Sequence, residues 1–549
     1  GRVGGRQGEG HRGYGIKPLT DEVTGPVEGP RTHRRLRSRV PASWQSATCG
    51  RPRGAIFPTA PRSPGGRRAS GGLIAQLGPQ LRRYGPLAMA QAGTVDAILG
   101  LVMACAAAVG GEWVYPLDDT YIHLELAWRL VQDGTWGINP GAPSSASSSP
   151  MWSLLLAAGL LLLGHDAGVA LLLASVAALS ALWVSDRQLP RELGAAPRVL
   201  ALLLITALAP LPAMAALGME HCLQIALVLA VGAAAIQDLE GPEGAAGPGP
   251  GALALLAALV FTRFEGLFLG VAWAGLALLA RRPGAAVRVG LAGLMPVVAF
   301  AAFSLAQGLP ALPAGMLMKS VPLDGHPLQN LLGNLTEGGA VLVLPSVLVW
   351  VLDAARGGRL GGTVRARLLA LTVALHLGLG AVGWYYRYEA WLVAWSTLLG
   401  IQAAIDLRRR GAGRRTRAEA LLIAVLILAA LVPTARRTYE AHVYMPGRTV
   451  YIADAKVRLA RALEATEPRA VVALHDIGAM AWETDLRIVD TAGLGTVEVL
   501  RLSRARRFTG QTIGELTRDL GATIGFGTWA WMESDRPVGW APVARLTWG

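Results

Sequence analysis

Two adjacent carboxylates, Asp118 and Asp119, stand after the first long apolar run, in the segment Leu117-Asp118-Asp119-Thr120-Tyr121-Ile122-His123. Like charges held close together and partly desolvated push one pKa upward. A carboxylate moved toward neutrality can take the proton of an attacking hydroxyl. Its neighbour can position that hydroxyl or hold a divalent cation such as Mg²⁺ or Mn²⁺. A competing reading makes either residue the N-cap of YIHLELAWRLVQDG, a common use of aspartate. Spacing alone does not separate the two.

Further polar residues interrupt the apolar sequence: Glu220 and His221; Arg263 and Glu265; Lys319, Asp324 and His326; Tyr385, Tyr386, Arg387, Tyr388 and Glu389; and, toward the C-terminus, His475 and Asp476. Arginine binds phosphate as a fork and lysine as a point charge, so Arg263, Lys319 and Arg387 are candidate anion binders. Lys319 stands out in a chain whose only other lysines are Lys17 and Lys456. A snorkelling helix-end role explains it equally well. Glu220 and Arg263 sit tight against apolar sequence, with Gly218 and Gly266 nearby. Charge at membrane depth costs several kcal/mol unless paired or hydrated, so it tends to mark a site. His475 and Asp476 follow a short apolar run, where a structural turn accounts for them.

The elements that must position these residues are membrane helices. The chain has 549 residues, 52% hydrophobic and 16% charged, against about 25% charged in an average soluble protein. A spanning helix needs roughly 17–25 mostly apolar residues. Candidates lie near 94–112, 167–184, 198–217, 221–237, 251–263, 265–280, 286–306, 337–354, 367–384, 388–406 and 418–435, about eleven spans. The short pair at 251–263 and 265–280 also reads as one long tilted helix. Arginine-rich short loops stay cytoplasmic. Reading 151–163 as interfacial or re-entrant places Arg187, Arg191 and Arg198 inside, and then Arg281, Arg282, Arg288, Arg356, Arg359, Arg365, Arg367, Arg408, Arg409, Arg410, Arg414, Arg415 and Arg417 as well. The polar residues singled out above then share the external side.

The tail after 437 changes pattern. VVALHDIGAM and RIVDTAGL read as buried strands with Gly-containing turns, and TVYIADAKVRLARALEA has helical spacing. The expected organisation is mainly α: residues 1–88 a disordered basic segment, 89–437 a polytopic membrane bundle with its first external loop at 113–166, and 438–549 a small external α/β domain. The +14 net charge sits largely in the first segment and in short loops, so it does not indicate nucleic-acid binding. Three scattered cysteines build neither a disulfide framework nor a zinc site.

LDDTYIHLELAWRLVQDGTWGINPG resembles the first periplasmic loop of the GT-C superfamily of polyprenyl-phosphate-sugar-dependent membrane glycosyltransferases, in the bacterial cell-envelope, arabinofuranosyltransferase-like branch. Asp118, Asp119, Tyr121, Ile122, Asn139, Pro140, Gly141, Ser149 and Trp152 carry the match. Thr120 replaces the usual Ala, and a serine-rich stretch at 144–149 replaces Gly-Tyr-Thr or Gly-Tyr-Ser. Gly218-Met219-Glu220 is similar to the family's Gly-Met-Glu, Arg263-Phe264-Glu265-Gly266 to Arg-Pro-Glu-Gly, and Arg387-Tyr388 to Arg-Tyr before a late span. Asp476-Ile477-Gly478-Ala479 and Val489-Asp490-Thr491-Ala492-Gly493-Leu494 resemble motifs of the family's external domain.

The resemblance implies a bacterial inner-membrane enzyme with a cytoplasmic N-terminus and an active site on the periplasmic side. Its donor would be a polyprenyl-phosphate sugar and its acceptor an envelope glycan or lipid. Asp119 would be the base and Asp118 its partner, or the reverse. Arg263, Lys319 and Arg387 would meet the donor phosphate. Glu220 or Glu265 would orient the sugar or pair with Arg263, and Tyr388 and His123 would line the substrate site. A divalent cation on Asp118 and Asp119 remains an open alternative.

A lipid-linked-sugar flippase or transporter would need a mid-membrane ionisable group and usually internal repeats, and the sequence shows neither. A non-catalytic envelope scaffold, with the Asp pair as a helix cap, is compatible with it. A soluble nucleotide-sugar enzyme is not: there is no large cytoplasmic domain and no Gly-rich phosphate loop before a helix. The chain begins with Gly, and Met89 falls just before the first apolar run. Translation is therefore expected to start near Met89. Mass spectrometry of the purified protein should find no peptide upstream of that residue, and one such peptide would refute the expectation.

Overall fold

The computed structural model describes residues 85–242, 247–319, 327–355, 363–409, 417–527 and 536–541. The basic segment up to residue 84, Asp324, His326, Arg356, Arg359, Arg410, Arg414 and Arg415 lie outside them. The described chain is mainly helical. Six helical stretches are long and apolar enough to cross a membrane: Pro86–Ala108, Gly168–Gln188, His221–Leu239, Pro283–Ala306, Ala390–Arg409 and the run Glu419–Thr466. Five apolar helices of 10–17 residues accompany them: Pro150–Leu163, Ala195–Leu208, Pro250–Thr262, Gly266–Leu279 and Ala340–Ala354.

Local sequence fixes where these helices begin. Proline opens Pro86–Ala108, Pro150–Leu163, Pro250–Thr262 and Pro283–Ala306, at the position where a missing N–H costs nothing. The first helix starts at Pro86 and ends at Ala108, so it is shifted toward the N-terminus of the expected 94–112. The apolar run 198–217 is not one helix. It splits into Ala195–Leu208 and a short buried helix, Leu211–Ala216. The run from 251 to 280 breaks at Arg263, whose backbone is extended (φ −153°, ψ 131°).

Close backbone approach ties the helices together. A Cβ on Gly232 would stand 2.6 Å from Trp395 Nε1, so His221–Leu239 and Ala390–Arg409 meet there. Trp152, Trp273, Trp391 and Trp395 fill the interior beside Leu124, Leu156, Leu182 and Leu202.

The C-terminal part forms a layer around a three-stranded parallel sheet of order β2-β1-β3, with β1 at Val471–Leu474, β2 at Arg487–Asp490 and β3 at Ile524–Phe526. No alternation in the sequence marks β3. The core of this layer joins Val472, Leu474, Ile477, Met480 and Ile488 to Ile122 and Ile138 of the first loop. Asn139 covers the β2 edge of the sheet with its side chain, which donates to the Ile488 carbonyl at 2.9 Å and accepts the Ile488 N–H at 2.8 Å. The first loop is thus built into the C-terminal layer.

At the end of β2 the buried Asp490 carboxylate accepts the backbone N–H groups of Ala492 (2.6 Å), Leu494 (2.5 Å) and Gly495 (2.6 Å). Gly493 adopts φ +81° in that turn. Asp490→Ala leaves these donors unpaired, so it should lower stability by about 2 kcal/mol or more. A denaturant midpoint equal to wild type would contradict this role.

Candidate active site

Four short segments deliver the polar residues to one end of the helical body. The first is the start of helix Asp118–Asp133. Thr120 Oγ1 donates to the Leu217 carbonyl at 2.6 Å, and the Tyr121 hydroxyl accepts the Tyr115 N–H at 3.0 Å. The second is Gly218-Met219-Glu220. Gly218 has φ +66°, and a Cβ there would come within 2.5 Å of the Tyr115 ring, so only glycine lets Glu220 follow. The third is the extended break at Arg263. The fourth is Trp384–Tyr386, three consecutive non-glycine residues with φ of 38°, 62° and 59°. Left-handed backbone is unfavourable for such residues. Here it directly precedes Arg387 and Tyr388.

These segments place Arg263, Arg387, Asp119, Tyr388, Glu220 and Glu265 together. Arg387 donates to Asp119 Oδ2 at 2.5 Å and lies near the Tyr388 hydroxyl at 3.4 Å. The Arg387 and Arg263 guanidinium carbons stand 5.1 Å and 5.5 Å from the Tyr388 ring centroid, within cation–π range. Arg263 forks onto Glu265 (2.6 Å) and donates to Glu220 (2.7 Å). Glu220 also stands 3.4 Å from His221 Nδ1. Arg387 and Arg263 are buried, while the Asp119 side chain is 30% exposed. Arg387 Nε and Nη1 and Glu220 Oε2 have no hydrogen-bond partner among the described residues. The unpartnered N–H groups of Arg387 can donate to a ligand, and the half-open Asp119 carboxylate beside them can accept a proton, whereas Arg263 is already engaged by Glu220 and Glu265.

Asp118 faces elsewhere. It is buried, and its two carboxylate oxygens accept the N–H groups of Gly478 (2.7 Å) and Ala479 (2.9 Å). The two aspartates therefore do not converge on one atom. His123 is also buried, within a hydroxyl cluster: its Nδ1 lies 3.1 Å from Ser153 and 3.4 Å from Ser147. The serine-rich stretch at 144–149 thus packs the first loop against the bundle, and Ser149 donates to the Thr262 carbonyl at 2.6 Å. His123 remains within electrostatic reach of Glu220, Asp119, Arg387 and Arg263. Lys319 ends helix Ala314–Lys319, and its side chain lies outside the described residues. Asp476 pairs with Lys456 at 2.8 Å, and burial holds the neighbouring His475 down to about 4.

Sequence reasoning passed over two cations near this centre. Buried Arg437 pairs with Glu389 at 3.0 Å, and Arg448 stacks 3.7 Å over the Tyr385 ring. Arg437 lies in the polar C-terminal part of helix Arg417–Val443, in the stretch Thr434–Glu440, where a charge reads as ordinary solvation. No group of three or more His, Cys, Asp or Glu side chains suited to a metal occurs among the described residues. With Asp118 engaged by backbone amides and Asp119 by Arg387, the Asp pair does not fit a shared divalent cation.

A domain of unknown function, DUF8728, matches residues 448–541. No curated protein sequence is significantly similar to the chain. Among solved structures, the chain is similar to ArnT from Cupriavidus metallidurans bound to undecaprenyl phosphate, at 15% identity and TM-score 0.48, covering 75% of this chain and 88% of that one. The apo state of the same protein gives 16% identity and TM-score 0.47 with the same coverage.

Burial, followed by the nearby Asp476 charge, raises the Asp118 carboxyl from 3.8 to about 7, against the pull of the two amides and Lys456. A pKa raised on folding contributes stability that is full below about pH 4 and is lost as pH rises through about 7. Between about pH 4 and about pH 7 the thermal midpoint of wild type should therefore fall more steeply with rising pH than that of Asp118→Asn. Parallel profiles would contradict the assignment.

Proposed function

We propose that the chain is a membrane glycosyltransferase that moves a sugar from a polyprenyl-phosphate donor to an envelope glycan or lipid acceptor at the external face. The observation that supports this reading best is the pair of buried arginines beside the Tyr388 ring, one of them bound to the half-exposed Asp119. Sequence motifs that resemble those of the GT-C superfamily occur in all four of the segments concerned.

In this reading the donor phosphate meets the free N–H groups of Arg387, with Arg263 held in place by Glu220 and Glu265. The acceptor hydroxyl approaches Asp119, which takes its proton as the oxygen attacks the anomeric carbon. The bond from that carbon to the phosphate oxygen breaks, and the polyprenyl phosphate leaves with the electron pair. A phosphate leaves as an anion, so no strong acid is required, and the guanidinium groups stabilise the charge that develops on it. Lys319 is a further candidate for the phosphate.

The test is sugar transfer in liposomes, using purified protein, a panel of polyprenyl-phosphate sugars and envelope-glycan acceptors, with and without EDTA. Asp119→Asn should reduce transfer by roughly 10²–10⁴-fold without changing the elution profile. Arg387→Lys should raise the donor KM, because lysine cannot reproduce the fork. Full activity of Asp119→Asn would end the proposal.

A further inference from the structure

We infer that Asp118 is a positioning residue rather than a second catalytic carboxylate: it ties the start of helix Asp118–Asp133 to the Gly478-Ala479 turn and thereby sets where Asp119 stands. The inference rests on the reading of Asp119 as the base.

Both Asp118 oxygens are engaged, one by each amide, at 2.7 Å and 2.9 Å. The two backbones are in direct contact: a Cβ on Gly478 would fall 2.1 Å from the Asp118 carbonyl oxygen and 2.9 Å from the Ile122 nitrogen. Side chains at successive helical positions point about 100° apart, so with Asp118 turned to the C-terminal layer, Asp119 is turned away from it. It meets Arg387. The next residues are held as well, Thr120 on the Leu217 carbonyl and Ile122 in the core of the layer. Asp119 is the residue of this turn that faces the arginine pair. Its register is set from the C-terminal layer, some 360 positions away in sequence.

The tie is tested by amide hydrogen exchange at Gly478 and Ala479, together with steady-state transfer by Asp118→Asn, Asp119→Asn and Gly478→Ala. An asparagine can accept only one of the two amides. Exchange at these positions should therefore accelerate in Asp118→Asn. Its kcat should fall about 10- to 100-fold, the cost of a small misplacement, with the donor KM within about twofold and the pH of the acidic limb unchanged. Gly478→Ala, which removes no side-chain acid, should reproduce the loss of kcat. If that variant does not fold, the exchange and KM-against-kcat data on Asp118→Asn decide alone. Unchanged exchange in Asp118→Asn overturns the tie. A shifted acidic limb, or inactive Asp118→Asn beside fully active Gly478→Ala, shows that Asp118 itself meets substrate. Absence of transfer by wild type under every donor overturns the function proposed above and the positioning role with it, whereas active wild type with unmoved kinetics in both variants overturns only the positioning role.

Discussion

Buried guanidinium charge is the constraint on which this end of the molecule depends. Arg263, Arg387 and Arg437 are all buried among apolar helices, where an unpaired charge would be severely destabilising. Each is matched by a carboxylate from another segment or across a break: Arg263 by Glu220 and Glu265, Arg387 by Asp119, Arg437 by Glu389. The pairs decide which helix ends lie together, because a carboxylate out of register would leave two charges uncompensated. The same pairs are incomplete in one respect. Arg387 uses part of its hydrogen-bonding capacity and leaves Nε and Nη1 unused among the described residues.

The first loop serves two masters. Its apolar residues Ile122 and Ile138 complete the core of the C-terminal layer, and the Asn139 side chain covers the β2 edge of the sheet. Its serines and His123 pack toward the bundle. The loop therefore transmits the position of the layer to the helix ends, and Asp118 is the shortest link in that chain. A parallel sheet of three short strands has little apolar surface of its own. Borrowing core residues from the loop stabilises the layer and orients the loop in one step.

Much of the centre was legible in the sequence because charge inside apolar sequence is rare and informative. Glu220, Arg263, Glu265, Arg387 and Tyr388 stood out in this way, and they meet. The pairings were not legible, since charge tells that a partner is needed but not which one. The reading of Asp118 and Asp119 as a cooperating pair took adjacency in sequence for adjacency in space. Helical geometry separates their side chains, and the amides that claim Asp118 belong to a segment too distant to foresee. Helix existence was readable from hydropathy, whereas the breaks at 209–210 and at Arg263 follow from packing and pairing. Arg437 was hidden because it stands beside Arg436 in the polar stretch just past the last apolar run.

Strain at Trp384–Tyr386 follows from the same constraint. Arg387 must reach Asp119 from the start of a helix that is itself packed by Trp391 and Trp395, so the approach before it has to turn sharply. Glycine would adopt the left-handed backbone there at lower cost. Two of the three strained residues carry a cation on the ring, Tyr385 under Arg448 and Tyr386 facing Arg437, while the Trp384 ring is exposed; Tyr388, just beyond the turn, lies beside Arg263 and Arg387. The conformational cost, of order 1–2 kcal/mol per residue, is offset by cation–π contacts that also fix the arginines. The aromatic turn is thus part of the apparatus that holds the charges in place, and removing its side chains would loosen the guanidinium groups rather than merely relax the backbone.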